Sequence, residues 1–461
     1  APAPLPAFRP PSATNQQVVA ALRADALAAA AANDNPSPNP WSDAVRRAVT
    51  KGTWSSAAGP DGLRPAHIWQ VITLPRQGPK VMGLIEELVD LLASGRIPSG
   101  LGDVRVSAVP KRGGGFRPIG VAGVLRRVTM AVAAAQIQSR IGPALEAEGQ
   151  LGIAQHGPQR LVSRTQRALG SGLAVARLDI ANAFQAVLRT TVLDDLRARI
   201  AAARSSEQAY GGLLAASAAY SSGEEVFWPR RGAEPVAFYN ARGVTQGCPA
   251  GLALFDAVLT TVLSETRRTL CSAGIPALVL PPTSEPLDPD GLVFCAALHD
   301  DIIVAARTDD ALLAFLAELE QRLERVGLTL GRGNGKSLLV VPHDKAVAPA
   351  LMSLFDGQRA QATECAGGPI YVPGAESEAA DILRVAVRKR LAPLLALKGA
   401  HPQDVVRVLM QAGPWSRMQY HAACFPLGEA VWAGLLTEGD DISRSLLADA
   451  SLALVEERFT D

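Results

Sequence analysis

Two short apolar runs, Val293-Phe294-Cys295-Ala296-Ala297-Leu298 and Ile302-Ile303-Val304-Ala305-Ala306, flank a polar tip of His299, Asp300 and Asp301. The pattern predicts strand, tight turn, strand. Ala174-Val175-Ala176-Arg177-Leu178-Asp179-Ile180 repeats the theme, with one carboxylate near the end of an apolar strand. A helical period runs through residues 81–92. Further helices are predicted over 18–32, 124–141, 190–203, 251–270, 310–326 and most of 378–461, with a hairpin over 225–246 and a strand at 337–341. Residues 33–40 and 281–291 are rich in breakers and read as linker and loop. Strands mixed with helices, and no internal repeat, give an α+β class.

The carboxylates change the picture most. Two charges at the tip of an apolar hairpin repel each other and resist desolvation. A divalent cation is the commonest reason to keep them there. With Asp179 they form the donor set that a two-metal nucleotidyl- or phosphoryl-transfer site needs, and the Ile180 carbonyl can add one oxygen. The plainer readings are a helix cap for Asp179 and a solvated turn for the pair. The turn reading leaves the apolar flanks unexplained.

Three glycine-rich segments add candidate chemistry. Between the carboxylate strands lies Gly243-Val244-Thr245-Gln246-Gly247-Cys248-Pro249. Its glycines allow close backbone approach to a ligand, and Gln246 can hydrogen-bond a sugar or base. Upstream, Lys111, Arg112 and Arg117 flank Gly113-Gly114-Gly115 and suit a triphosphate; a surface hairpin with solvated bases is the plainer reading. Downstream, residues 327–336 end on Lys336, a candidate proton donor to leaving pyrophosphate or simply a surface lysine.

Length and composition then bound the whole. The 461 residues suffice for about two to four domains or subdomains. No apolar run reaches the ~18 residues of a membrane span. The start, Ala1-Pro2-Ala3-Pro4-Leu5-Pro6, has no charged n-region or apolar h-region and no initiator Met, so no secretory signal is expected and the chain reads as a processed or trimmed product. Five scattered cysteines without a C-x-x-C pair argue for a reducing compartment and against zinc. The net charge of +1 hides an uneven distribution: residues 96–140 are basic and residues 425–461 acidic.

The order of these segments resembles the reverse transcriptases of non-long-terminal-repeat retrotransposons. Gly59-Pro60-Asp61-Gly62 resembles that class's N-terminal signature, and Val109 through Ile119 its fingers motif. Asp179 through Phe184 resembles motif A, Gly243 through Pro249 motif B, Leu298 through Asp301 motif C, and Gly327 through Lys336 motif D. The resemblance spans roughly residues 41–425 and implies a right-hand polymerase of fingers, palm and helical thumb with an N-terminal extension. The expected boundaries are 1–40 for the extension, 41–172 for the N-terminal segment and fingers, 173–375 for the palm, and 376–461 for the thumb and acidic tail.

The resemblance further implies RNA-templated DNA synthesis on a DNA or RNA primer with deoxynucleoside triphosphates. Two Mg²⁺ would be held by Asp179, Ile180, Asp300 and Asp301. Phe184 falls where the family excludes a ribose 2′-hydroxyl. Gln246 and Gly247 would line the nucleotide pocket, and Arg384, Arg388, Lys389 and Arg390 would grip the duplex backbone. The expected location is intracellular, nuclear or mitochondrial, with ribonucleoprotein partners and no membrane. Two departures stand out: Leu298 replaces the usual aromatic before the acidic pair, and Cys248 stands where an Asp often follows the motif B glycine. Rival readings are a domesticated, non-catalytic scaffold in a ribonucleoprotein and an RNA-synthesising polymerase, against which Phe184 argues.

Overall fold

The computed structural model describes residues 42–50, 56–93, 103–110, 115–202, 224–230, 233–240, 242–282, 287, 293–333, 336–395 and 429–459. The predicted helix over 18–32 and the linker over 33–40 lie outside them. The chain divides into two compact units, each discontinuous in sequence.

The first unit comprises residues 1–148, 180–264 and 320–329. Its helices α1 (Ser42–Thr50), α2 (Pro65–Ile72), α3 (Gly78–Ala93) and α4 (Val124–Arg140) precede and follow a hairpin of β1 (Val104–Pro110) and β2 (Phe116–Ala122). Val45 and Val49 of α1, Ile85 and Val89 of α3, and Val124, Val128 and Val132 of α4 form one buried cluster. Their spacing puts each set on a single helical face, which is why these helices hold together. The loop Gly59–Gly62 braces the start of α4: the Val124 N–H donates to Asp61 Oδ2 at 3.3 Å, where the helix has no cap of its own. Short helix α5 (Gly142–Ala147) follows.

Helix α6 (Gly157–Gly170) and strand β3 (Ala174–Ile180) lead to α7 (Ala183–Ala186), α8 (Arg189–Ala202), strands β4 (Glu224–Arg230) and β5 (Ala233–Asn240), and helix α9 (Gly251–Ser272). The first unit's sheet has the order β2-β1-β4-β5, with β1 parallel to β4 and antiparallel to β2.

The second unit comprises residues 149–179, 265–319 and 330–461. Its strands β6 (Ala277–Val279), β7 (Val293–Leu298), β8 (Asp301–Ala306), β9 (Leu330–Gly331), β10 (Leu338–Val340) and β11 (Arg359–Ala360) join β3 in a sheet ordered β11-β10-β3-β8-β7-β6, with β9 pairing β3. Helix α10 (Asp309–Arg325) follows β8, and α11 (Pro349–Leu354) precedes β11. The hairpin β12 (Ala362–Cys365) and β13 (Gly368–Tyr371) leads into α12 (Glu376–Leu395) and, beyond the undescribed stretch, α13 (Glu429–Phe459).

Residues 293–297 of β7 and 302–306 of β8 are wholly buried. Side chains on both faces of these strands are covered, so the sequence reads as continuous apolar runs instead of alternation. Leu161 and Leu169 of α6, Ile370 of β13, and Leu383, Val387 and Leu391 of α12 join Phe294, Ile303 and Ala305 in one core cluster. A buried, rigid sheet is what fixes the ends of β3, β7 and β8. The α+β class is as expected. No helix among the described residues is long and apolar enough to cross a membrane.

Candidate active site

Asp179, Asp300 and Asp301 all belong to the second unit. Strand β3 pairs with β8 antiparallel, Leu178 opposite Ile302, so Asp179, one residue before the end of its strand, lies beside the start of β8. Strands β7 and β8 form a hairpin in which Leu298 pairs with Asp301, leaving His299 and Asp300 as a two-residue turn. His299 takes the left-handed conformation at φ 56°, a position that favours Gly or Asn and costs a residue with a Cβ about 1–2 kcal/mol. Ile180 is the buried last residue of β3.

The three carboxylates act on one another electrostatically. Burial pushes the Asp301 carboxyl up to about 6, Asp300 and Asp179 add to the rise, and the Arg177 guanidinium and His299 oppose it. Charged carboxylates so placed gain strongly from a cation of high charge, and hard oxygen donors are what Mg²⁺ takes. The donor chemistry therefore fits the implied metal. The three are not drawn onto one point, however: among the described residues no group of three or more His, Cys, Asp or Glu is arranged to hold an ion. Asp179 is turned instead to Lys336, whose Nζ lies 3.4 Å from its Oδ2. That ammonium relieves the like-charge repulsion that gathering the three would entail.

Several residues that frame this group carry no sequence signal of their own. Ser337 accepts the Asp179 N–H at 3.1 Å and donates its hydroxyl to the Gly331 carbonyl at 2.6 Å, tying β3 to the segment that carries Lys336. A Cβ on Gly331 would stand 2.8 Å from Asp179 Oδ2, so any larger residue there would push that carboxylate from its position. Arg177 donates to the backbone carbonyls of Glu364 at 2.8 Å and Lys336 at 3.0 Å, which fixes its charge near Asp301.

The nucleotide-pocket candidates Phe184, Gln246 and Gly247 come together in the first unit. Phe184, half-buried on α7, packs against Phe255 with ring centroids 4.9 Å apart. Its carbonyl accepts the Val244 N–H at 2.7 Å, and Gln185 Nε2 donates to Gln246 Oε1 at 3.1 Å. The buried guanidinium of Arg189 donates to the Gly243 carbonyl at 3.1 and 3.2 Å and holds the loop's entry. The Gln246 carbonyl accepts the Gly120 N–H at 2.6 Å, and Gly247 sits at φ 108° against the Gly120 carbonyl.

The candidate cations fare unequally. Arg117 is exposed on β2, opposite Val109. Lys111 and Arg112 lie outside the described residues. Arg384, Arg388, Lys389 and Arg390 all lie on α12. Arg384 pairs with Asp381 at 2.6 Å, Arg388 with Glu438 at 2.9 Å, and Lys389 approaches Glu364 at 4.0 Å.

Comparison with known proteins bears on this geometry. A family model described as reverse transcriptase (RNA-dependent DNA polymerase) matches residues 109–333, a span that contains all three carboxylates. The retrovirus-related Pol polyprotein from type-2 retrotransposable element R2DM of Drosophila melanogaster is 28% identical over 291 residues, 60% of this chain and 24% of that protein. The chain thus matches about a quarter of its relative's length. Among solved structures, an apo telomerase from Candida tropicalis aligns with 77% of this chain and 63% of its own, at a TM-score of 0.43 and 10% identity. A telomerase from Candida albicans in complex with a TWJ fragment of telomeric RNA aligns with 81% and 64%, at 0.40 and 10%.

Proposed function

We propose that this chain, which carries a reverse transcriptase domain of the non-long-terminal-repeat retrotransposon class, extends a primer 3′-hydroxyl on an RNA template with deoxynucleoside triphosphates. The observation that carries the reading is the trio Asp179, Asp300 and Asp301, set at the ends of paired, buried strands and coupled through their charges. Two divalent cations, Mg²⁺ by the resemblance, would be held by these three carboxylates with the Ile180 carbonyl, and would supply Lewis-acid activation of the hydroxyl and neutralisation of the triphosphate. Lys336, with its Nζ 3.4 Å from Asp179 Oδ2, would donate a proton to leaving pyrophosphate. Arg117, with Lys111 and Arg112, would bind the triphosphate. Phe184 would exclude the 2′-hydroxyl, while Gln246 and Gly247 would line the nucleotide pocket. Helix α12 would follow the duplex backbone.

Asp300→Asn tests the reading. The variant keeps the size of the side chain but removes its charge and turns one acceptor oxygen into a donor. Primer extension on an RNA template should fall by at least about 10³-fold, with the thermal transition unmoved or raised, since one of the repelling charges is gone. Extension at the wild-type rate would remove the carboxylate from the chemistry. Parallel reactions with ribonucleotides test Phe184.

A second reading, a reverse-transcriptase fold serving as a scaffold within a ribonucleoprotein, draws support from the acids that pair with Arg384, Arg388 and Lys389. Wild-type protein that binds RNA but extends nothing would select it.

A further inference from the structure

We propose that Gln150 is a positioning residue for the carboxylate turn: its buried side-chain carbonyl fixes His299 and so aims Asp300 and Asp301. The inference rests on the polymerase reading above and adds to it a residue that touches no substrate.

Gln150 is fully buried. Its Oε1 accepts two backbone N–H groups, from Gly152 at 2.9 Å and from His299 at 3.0 Å. The backbone on either side is tied to the end of β7: the Leu151 N–H donates to the Ala297 carbonyl at 2.7 Å, and the Ala297 N–H to the Gly149 carbonyl at 2.9 Å. Residues 149–152 thus form a short parallel splint along the strand that carries the turn. The His299 imidazole lies directly on Gly152, where any Cβ would collide with the ring. The brace therefore grips His299 twice, through its amide and through its ring.

A bland reading gives Gln150 the task of closing its own loop onto Gly152. It does not account for the second hydrogen bond, which crosses to a distant segment. In a two-residue turn the first turn amide has no partner in the strand ladder, and a buried N–H left unpaired is costly. A left-handed non-glycine residue also persists only where its surroundings over-determine it. Gln150 meets both needs.

The choice of an amide over an acid is informative. Gln150 Nε2 is buried with no hydrogen-bond partner. Glu would accept both N–H groups without that orphaned donor. It would also add a negative charge beside the turn that already carries two. A neutral acceptor is what a carboxylate cluster tolerates.

Gln150→Met keeps the shape and removes the acceptor; Gln150→Glu keeps the acceptor. Three readouts separate positioning from general support: hydrogen–deuterium exchange of the peptide spanning 297–301, Mn²⁺ binding followed by the spin-resonance signal of the free ion, and primer extension. In Gln150→Met, exchange should quicken at the turn and at the Gly152 amide, the two places that lose the acceptor, and nowhere else. Mn²⁺ affinity and kcat should each fall about 10- to 100-fold, as for residues that orient metal ligands, with KM for the nucleotide within about twofold. Gln150→Glu should keep the slow exchange at the turn. Wild-type exchange and kcat in Gln150→Met would overturn the proposal, as would acceleration spread across the whole unit in both variants. If wild type itself extends no primer, the polymerase reading fails, and the exchange data still decide whether Gln150 holds the turn.

Discussion

Asp301 is half-buried, and burial together with Asp300 and Asp179 lifts its carboxyl to about 6. In the unfolded chain the same group titrates near 3.9. A carboxyl raised on folding contributes stability that is whole below the unfolded value and lost as pH rises through the folded one. The metal-free protein should therefore weaken between about pH 4 and pH 6. Ionising that carboxyl in the folded protein costs on the order of 3 kcal/mol as an upper bound. Asp301→Asn cannot ionise there, so in EDTA it should match wild type near pH 4 and exceed it above pH 6. Urea unfolding of both proteins across that range checks this, and a difference that stays constant with pH would refute it. The same substitution should abolish extension, a trade of function for stability that sites holding like charges commonly show.

At the scale of elements, the loop 243–249 is held by glycine geometry and by the Arg189 guanidinium. Gly247 combines φ 108° with a neighbour that leaves no space, since a Cβ there would stand 2.5 Å from the Gly120 carbonyl oxygen. Gly247→Ala should cost at least about 1–3 kcal/mol in denaturant unfolding, because backbone strain and a clash with backbone add. It should also raise KM for the nucleotide. Unchanged stability would show that β2 gives way instead.

The same elements show what was legible beforehand. Apolar runs long enough to be buried on both faces announced β3, β7 and β8, and periodic stripes announced α3, α4, α8, α9 and α10. Helix α6 escaped because it opens with Gly157-Pro158 and buries Arg164 and Thr165 within its stripe. Arg164 is satisfied by the Leu280 carbonyl at 2.9 Å, a partner that no local pattern reveals. Asp179, Asp300 and Asp301 were visible because charge in an apolar run is anomalous. Gln150, Ser337 and Arg189 were not, since each acts on a segment far away in sequence; the glycines Gly149 and Gly152 beside Gln150 were the only local hint.

At the scale of the molecule, a near-neutral total charge conceals opposed parts. The acidic stretch predicted near the C-terminus includes Glu438 on α13, and its carboxylate takes Arg388 of α12 with contacts of 2.9 and 3.1 Å. Arg388 is one of the cations expected to follow the duplex backbone, so α13 and a phosphate would compete for the same guanidinium. The pair is solvent-exposed, and exposed pairs hold weakly, so a phosphate can displace the acid. Glu438→Gln removes the competitor without shortening the side chain. Affinity for an RNA–DNA hybrid should rise a few-fold at low salt. One more phosphate contact should also steepen the fall of log K with log salt by about 0.9. Anisotropy titrations from about 50 to 200 mM salt measure both quantities. Arg388→Ala, with no guanidinium to release, should abolish the gain when combined with Glu438→Gln. An equal gain in the double variant would mean that the acid acts through the general field of the C-terminal helix and not through this contact.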